Sequence, residues 1–265
     1  MPPTLTSSAL AGGLAATVAA FLAGVAIIPG SAATSVSVAG ALIVASALAW
    51  RSGSAPALRT VIVVDLVVLF ALAGAHLLDG AVLVWPVTVL LALGVAHLVN
   101  RRAPAPHPTS EWLRRGRLTP ELPWLMALTV VASALALVAW ARVADPPPPP
   151  FVAGLGDRPA WLLVLVIVAF AAVNGLAEEF LYRGVVQTEL TALLGVVPAV
   201  VLQAAAFGVA HLGGFPSGWV GAAMAGMWGL VLGVIRVRTR GILAAYLAHL
   251  AADATIGAIG VTLLF

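Results

Sequence analysis

Asn174, Glu178, Glu179 and Arg183 fall in the stretch AAVNGLAEEFLYRG at 171–184, which directly follows an apolar run beginning at Trp161. Adjacent acids in a segment long enough to cross lipid are expensive, and they mark a side facing an interior or a hydrated cavity. On a helix Glu179 and Arg183 are four apart and pair along one side, while Asn174 and Glu178 share a neighbouring stripe. Two later apolar runs carry polar groups at the same step. QAAAFGVAH sets Gln203, Phe207 and His211 on one stripe, and HLAAD sets His249 and Asp253 four apart. Each of the three helices can thus turn a polar stripe toward one shared interior, where Glu178 is read as the catalytic group. The Glu179–Arg183 pair would hold the helix in place. The plainer reading is polar glue between membrane helices, worth about 0.6–2 kcal/mol per interaction. Serine or threonine would serve as glue at a lower burial cost than a carboxylate.

The elements that must position these groups are membrane helices. Of the 265 residues 62% are hydrophobic and 9% charged, and mean hydropathy is +1.10. A soluble domain carries roughly 25% charged residues, so the chain reads as an all-α, polytopic transmembrane bundle. A crossing needs about 20 apolar residues. Candidate helices then run over 10–28, 36–50, 60–79, 81–99, 123–141, 161–187, 196–212, 218–235 and 241–264, giving eight or nine spanning helices. The first run lacks a basic flank and is expected to be a retained helix rather than a cleaved signal. All 13 basic residues besides histidine are arginine. With the N-terminus in the cytoplasm, Arg51, Arg59, Arg101, Arg102, Arg114, Arg115, Arg117, Arg236, Arg238 and Arg240 all lie inside, and only Arg142 and Arg158 fall outside. The arginines thus answer to topology, and no nucleic-acid partner is expected. The bacterial cytoplasmic membrane is the expected location. With no cysteine, thiol catalysis, disulfides and cysteine metal ligands are excluded.

The stiff DPPPPP segment at 145–150 divides the chain. Residues 1–150 form N-terminal transmembrane helices and linkers, and 151–265 form the C-terminal bundle that carries the chemistry. In the first part only Asp65 stands out, inside a helix. The connection EWLRRGRL at 111–118 suits either a turn or short helix at headgroup level, with Trp112 as its anchor, or a solvated linker. One difficulty is depth. At about 1.5 Å per residue, straight helices over these ranges do not bring Glu178, His211 and His249 to one level. A broken helix or a shifted boundary is needed, and HLGGFPSG, Gly195 and Pro198 are candidate places.

In order along the chain, EEFLYRG at 178–184 resembles the EExxxR signature of the CAAX prenyl protease and bacteriocin-processing family, known as CPBP or Abi. Phe207 to His211 resembles its FxxxH element, and His249 to Asp253 its closing HxxxN or HxxxD element. The resemblance covers about residues 161–260, and its specificity lies in the ordered combination. It implies an intramembrane endopeptidase with a cavity open toward the cytoplasm. Glu178, His211, His249 and Asp253 would be the reacting group, with Glu179, Arg183, Asn174 and Phe207 in support. Asp253 stands where many members have Asn. An ionised Asp accepts hydrogen bonds but cannot donate one. It would therefore orient His249, or act as a donor only while protonated. The family has been described both as metalloproteases and as metal-independent glutamate proteases. The expected mechanism is metal-free; the alternative is zinc held by Glu178, His211 and His249, although the spacing is not HExxH. The expected partners are membrane lipid and a peptide or protein substrate. The family's eukaryotic branch removes the C-terminal tripeptide of prenylated CAAX proteins, whereas a bacterial chain would act on a membrane peptide or a bacteriocin-related precursor. Two other readings compete with this one. One is a non-catalytic membrane immunity or assembly protein, and the other a proton-coupled transporter using Glu178 or Asp65.

Overall fold

The computed structural model describes residues 7–27, 32–77, 84–100, 109–144 and 158–264, and among these there are helices and turns but no strand. The helices are α1 (Ser7–Ile27), α2 (Ala32–Ser52), α3 (Ala55–Leu77), α4 (Val84–Asn100), the short α5 (Thr109–Trp112) and α6 (Leu122–Ala144). Then come α7 (Ala160–Glu178), a π-helical stretch (Glu179–Val186), α8 (Gln187–Leu194), α9 (Val196–Ala210), α10 (Gly218–Thr239) and α11 (Leu243–Ile259). Eight segments are long and apolar enough to cross a membrane, and the apolar part of α4, Trp85–Leu98, is a shorter ninth. This matches the expected eight or nine. Large apolar side chains such as Leu14, Ile43, Leu69, Leu128 and Leu165 are exposed around the bundle. Water would penalise such a surface, whereas lipid accepts it. The chain is an integral membrane protein.

Two boundaries differ from expectation. The helix expected over 161–187 continues without a break through α7, the π stretch and α8, giving one span of 35 residues from Ala160 to Leu194. The second helix, expected to be short, has 21 residues. The DPPPPP connection, with the boundary at residue 150, and His107 lie outside the described residues. Packing runs between the two parts of the chain. Helix α1 lies against α2, α3 and α9, α4 lies against α7, and α11 sits between α6 and α7. The main core is built mostly from alanine, valine and leucine of both parts. Without a hydrophobic drive between helices in lipid, such small residues let backbones approach until dispersion holds them. Gly208 is one example, because a Cβ there would stand 2.6 Å from the Ala222 carbonyl oxygen of α10.

One end of the bundle gathers the arginines around α8. Arg59 of α3 grips the Glu189 carboxylate with two hydrogen bonds of 2.9 and 2.6 Å, and the Trp112 indole N–H donates to the same carboxylate at 2.7 Å. Arg236 donates to the Thr188 hydroxyl. The connection after α5 is pinned by its backbone. Arg117 N–H donates to the Thr239 carbonyl, while Ile242 and Leu243 N–H donate to the Arg114 and Arg115 carbonyls. Trp112 is fully buried. A short helix is what one form of the expectation called for, but Trp112 is not at an interface: its indole is buried, with its N–H on the Glu189 carboxylate that Arg59 also contacts. Asp65 accepts a hydrogen bond from Ser46 at 2.9 Å, a tie between α2 and α3.

Candidate active site

The α8–α9 hairpin turns at Gly195, whose φ of +90° lies in the region that glycine adopts without steric cost. Glu178 lies 17 residues before this turn and His211 lies 16 after it. At 1.5 Å per residue both stand about 24–26 Å from the turn, so the hairpin brings them to one level. The depth difficulty arose because the helix was expected to end at 187, seven residues short of its end at Leu194. His211 itself ends α9 and opens a single 3₁₀ turn through Gly213. On the other strand of the hairpin the π stretch begins at Glu179, immediately after Glu178. A widened turn of this kind resets the angular register of the residues that follow it, and such turns recur at functional sites.

His249, in α11, joins the acids. Its Nδ1 lies 2.8 Å from Glu179 Oε1, so the imidazole N–H donates to that carboxylate. Its Nε2 is 3.4 Å from Glu178 Oε2 and 3.5 Å from Asp253 Oδ1, at ion-pair range. Arg183 Nη1 stands 2.8 Å from Glu179 Oε1, with both side chains fully buried. Glu179 therefore faces a guanidinium on one side and an imidazole on the other. Asn174 Nδ2 donates to Asp253 Oδ2 at 3.3 Å, which turns the other Asp253 oxygen toward His249. His211 Nδ1 donates to the Phe207 carbonyl at 2.9 Å, leaving Nε2 as the ring nitrogen still able to meet a ligand.

Phe207 is the hub of this layer. Its ring meets Tyr182 edge-on at 5.1 Å, His211 at 4.5 Å and His249 edge-on at 5.9 Å. The Arg183 guanidinium carbon lies 4.4 Å from the ring centre. A cation over an aromatic face is attracted to it, more strongly once water is excluded. One ring thereby fixes the positions of four functional side chains.

A cavity of about 570 Å³ opens in front of this cluster. Its polar wall is Asn174, Glu178, Tyr182, His211 and Asp253, and the remainder is apolar, including Val166, Phe170, Phe215 and Ile256. The eight side chains given a catalytic or supporting role in the sequence thus fall into one cluster, in two layers, whereas Gln203 of the same stripe donates to the Val200 and Gly229 carbonyls. Glu178, His211, Asp253 and Asn174 face the cavity. His249, Glu179, Arg183 and Phe207 stand behind them. The sequence expectation had both imidazoles at the water, whereas only His211 lines the cavity. Tyr182 and Trp85 are among the lining residues that carried no assigned role in the sequence. Tyr182 was visible inside the EEFLYRG stretch, at the position four after Glu178, and its buried hydroxyl has no hydrogen-bond partner among the described residues. Trp85 gave no sequence signal, since it sits in another helix far along the chain.

The zinc alternative was tested against this geometry. Among the described residues no three His, Asp or Glu side chains are grouped as a metal-ion site. His249 Nδ1 is engaged by Glu179, and its Nε2 faces Glu178 and Asp253.

Fold and cluster together define a helical membrane protein with an acid- and imidazole-walled cavity inside the bundle. Residues 159–255 match the family model described as type II CAAX prenyl endopeptidase Rce1-like. The match supports the CPBP/CAAX protease family for that segment, as the three motifs suggested, and residues 1–158 lie outside it. No curated protein and no solved structure matches the chain.

Proposed function

We propose that the protein is an intramembrane endopeptidase in which Glu178 activates the hydrolytic water without a metal. The observation that carries this reading is a buried carboxylate on a cavity wall beside His211, with His249 3.4 Å behind it. Glu178 takes a proton from water, and the resulting hydroxide adds to the carbonyl carbon of the bond to be cleaved. The Tyr182 hydroxyl, and the His211 ring when protonated, are the donors that can meet the oxyanion. Collapse of the tetrahedral intermediate breaks the C–N bond, and the proton held by Glu178 passes to the leaving amine. His249 is the positioning group for Glu178, oriented in turn by Glu179 and by the Asn174–Asp253 pair. Asp253 accepts from Asn174, which suits the orienting role rather than the donor role. Phe207 and Arg183 complete the support. Membrane lipid is the surrounding solvent, and a membrane-associated peptide is the substrate class.

The test is mass-spectrometric detection of cleavage of a panel of membrane-spanning and membrane-anchored peptides by the purified protein in vesicles. With a metal-free mechanism, dialysis against EDTA and phenanthroline leaves the rate within about twofold of the untreated protein. A loss of tenfold or more, restored by zinc, would return the assignment to a metalloprotease, since removing a ligand-bound nucleophile costs far more than twofold.

On the reading of a bacterial cytoplasmic-membrane protein, the arginine bias argues for a cytoplasmic α8 end, with the N-terminus on the same side. The cavity walls run the other way, from Glu178 and Tyr182 back to Val166 on α7 and from Asp253 on to Val261 on α11. This orientation directs the cavity toward the outer leaflet, against the cytoplasmic opening that the family resemblance implied. Because the native chain has no cysteine, single replacements decide the matter cleanly. A membrane-impermeant maleimide added to intact cells should label Ser217→Cys, beside the cavity, and spare Leu118→Cys at the arginine end. The reverse pattern would invert the orientation.

A further inference from the structure

Among the described residues that line the cavity, Trp85 alone comes from before residue 159. Its placement follows from how α4 is seated. Val89, Ala92, Leu93 and Ala96 are all buried, at steps of three and four that form one stripe along the helix. Trp85 lies four residues before Val89 and continues that stripe. The Thr88 hydroxyl donates to the Trp85 carbonyl at 2.9 Å, tying down the first turn. Helix α4 in turn packs along α7, which carries Glu178. The indole is therefore held by a rigid helix, as a fixed wall of the cavity.

The cavity lining is chemically mixed. Its polar side chains are Asn174, Glu178, Tyr182, His211 and Asp253, and the rest of the described lining is apolar, including Val166, Ile167, Phe170, Phe215, Ile256 and Trp85. A peptide bond held at Glu178 leaves the adjoining substrate side chain in the apolar part. Such a pocket rewards a group that fills it and gives little to a methyl. We propose that Trp85 is a specificity-determining residue, closing the apolar part of the cavity against a large apolar side chain next to the bond to be cleaved. The inference rests on the endopeptidase reading and adds to it a substrate preference set from outside the matched segment.

The experiment uses the full-length protein in vesicles and membrane peptides differing only in the residue on one side, then the other, of the cleaved bond: Ala, Leu or Phe. For the wild type, kcat/KM for Leu or Phe should exceed that for Ala by about tenfold or more, the scale set by several added methylenes in a fitted pocket. In Trp85→Ala that ratio should fall at least about fivefold, while Trp85→Phe keeps most of it. A wall with only a structural role would lower all substrates alike and leave the ratio unchanged, which would overturn the proposal. So would a wild type that cleaves the Ala, Leu and Phe peptides equally well. Trp85→Leu supplies the same comparison where the alanine variant does not fold. A wild type that cleaves no peptide at all sinks the endopeptidase reading and this inference with it, whereas cleavage with an unmoved ratio sinks this inference alone.

Discussion

Glu178→Gln is expected to lower peptide cleavage by about 10³-fold while the protein remains inserted and folded. The amide keeps the shape of the side chain but cannot take a proton from water. Stability should be nearly unchanged, because the amide keeps the volume of the side chain and Glu178 Oε2, 3.4 Å from His249 Nε2, makes no hydrogen bond among the described residues. This pairing of outcomes separates the competing readings. A structural glue residue would show the opposite pattern, with lost stability and no activity to lose. A proton-coupled transporter would lose transport, with no cleavage in the wild type either. Tyr182 must be counted in the same experiment. If its hydroxyl meets the oxyanion, Tyr182→Phe lowers kcat and leaves substrate affinity nearly unchanged. Full cleavage by purified Glu178→Gln would remove Glu178 from the chemistry, and with it the proposed mechanism.

The parts of this site that the sequence disclosed are those fixed by local spacing. A step of four puts Glu179 with Arg183 and His249 with Asp253 on any helix, whatever surrounds them, and the apolar runs alone set the number of crossings. What stayed hidden depends on distant pairing. Glu189 carried no assigned role in the sequence, and only contact with Arg59, 130 residues away, and Trp112, 77 away, makes it a buried anchor. Trp85 has the same history. The π stretch was hidden for another reason. Its widening is a property of hydrogen-bond register, and EFLYRGVV has no residue that forbids an ordinary α-helix. The end of the long helix was missed because Thr188, Glu189 and Thr191 looked like a polar loop. Glu189 is in fact buried, and Thr188 and Thr191 return their hydroxyls to the Gly184 and Gln187 carbonyls. Polar side chains that satisfy themselves on their own helix carry no loop signal.

Arg183→Met should cost about 3–5 kcal/mol, because it strands the fully buried Glu179 carboxylate opposite an imidazole alone and removes the guanidinium from the Phe207 face. Thermal or denaturant unfolding in detergent would register this as a large loss of stability, accompanied by low yield. The informative partner is the double variant Glu179→Gln, Arg183→Met. Removing both charges of a buried pair is often close to neutral, so the double variant should recover most of the stability lost by Arg183→Met alone. Activity should not follow. Glu179 is also the acceptor for His249 Nδ1, at 2.8 Å, and a glutamine there no longer supplies the charge that holds the ring against Glu178. A refolded but slow double variant would therefore divide the two duties of Glu179, one toward Arg183 for stability and one toward His249 for rate. If stability and cleavage returned together, Glu179 would be a partner of Arg183 only, and the orientation of His249 would have to come from Asp253.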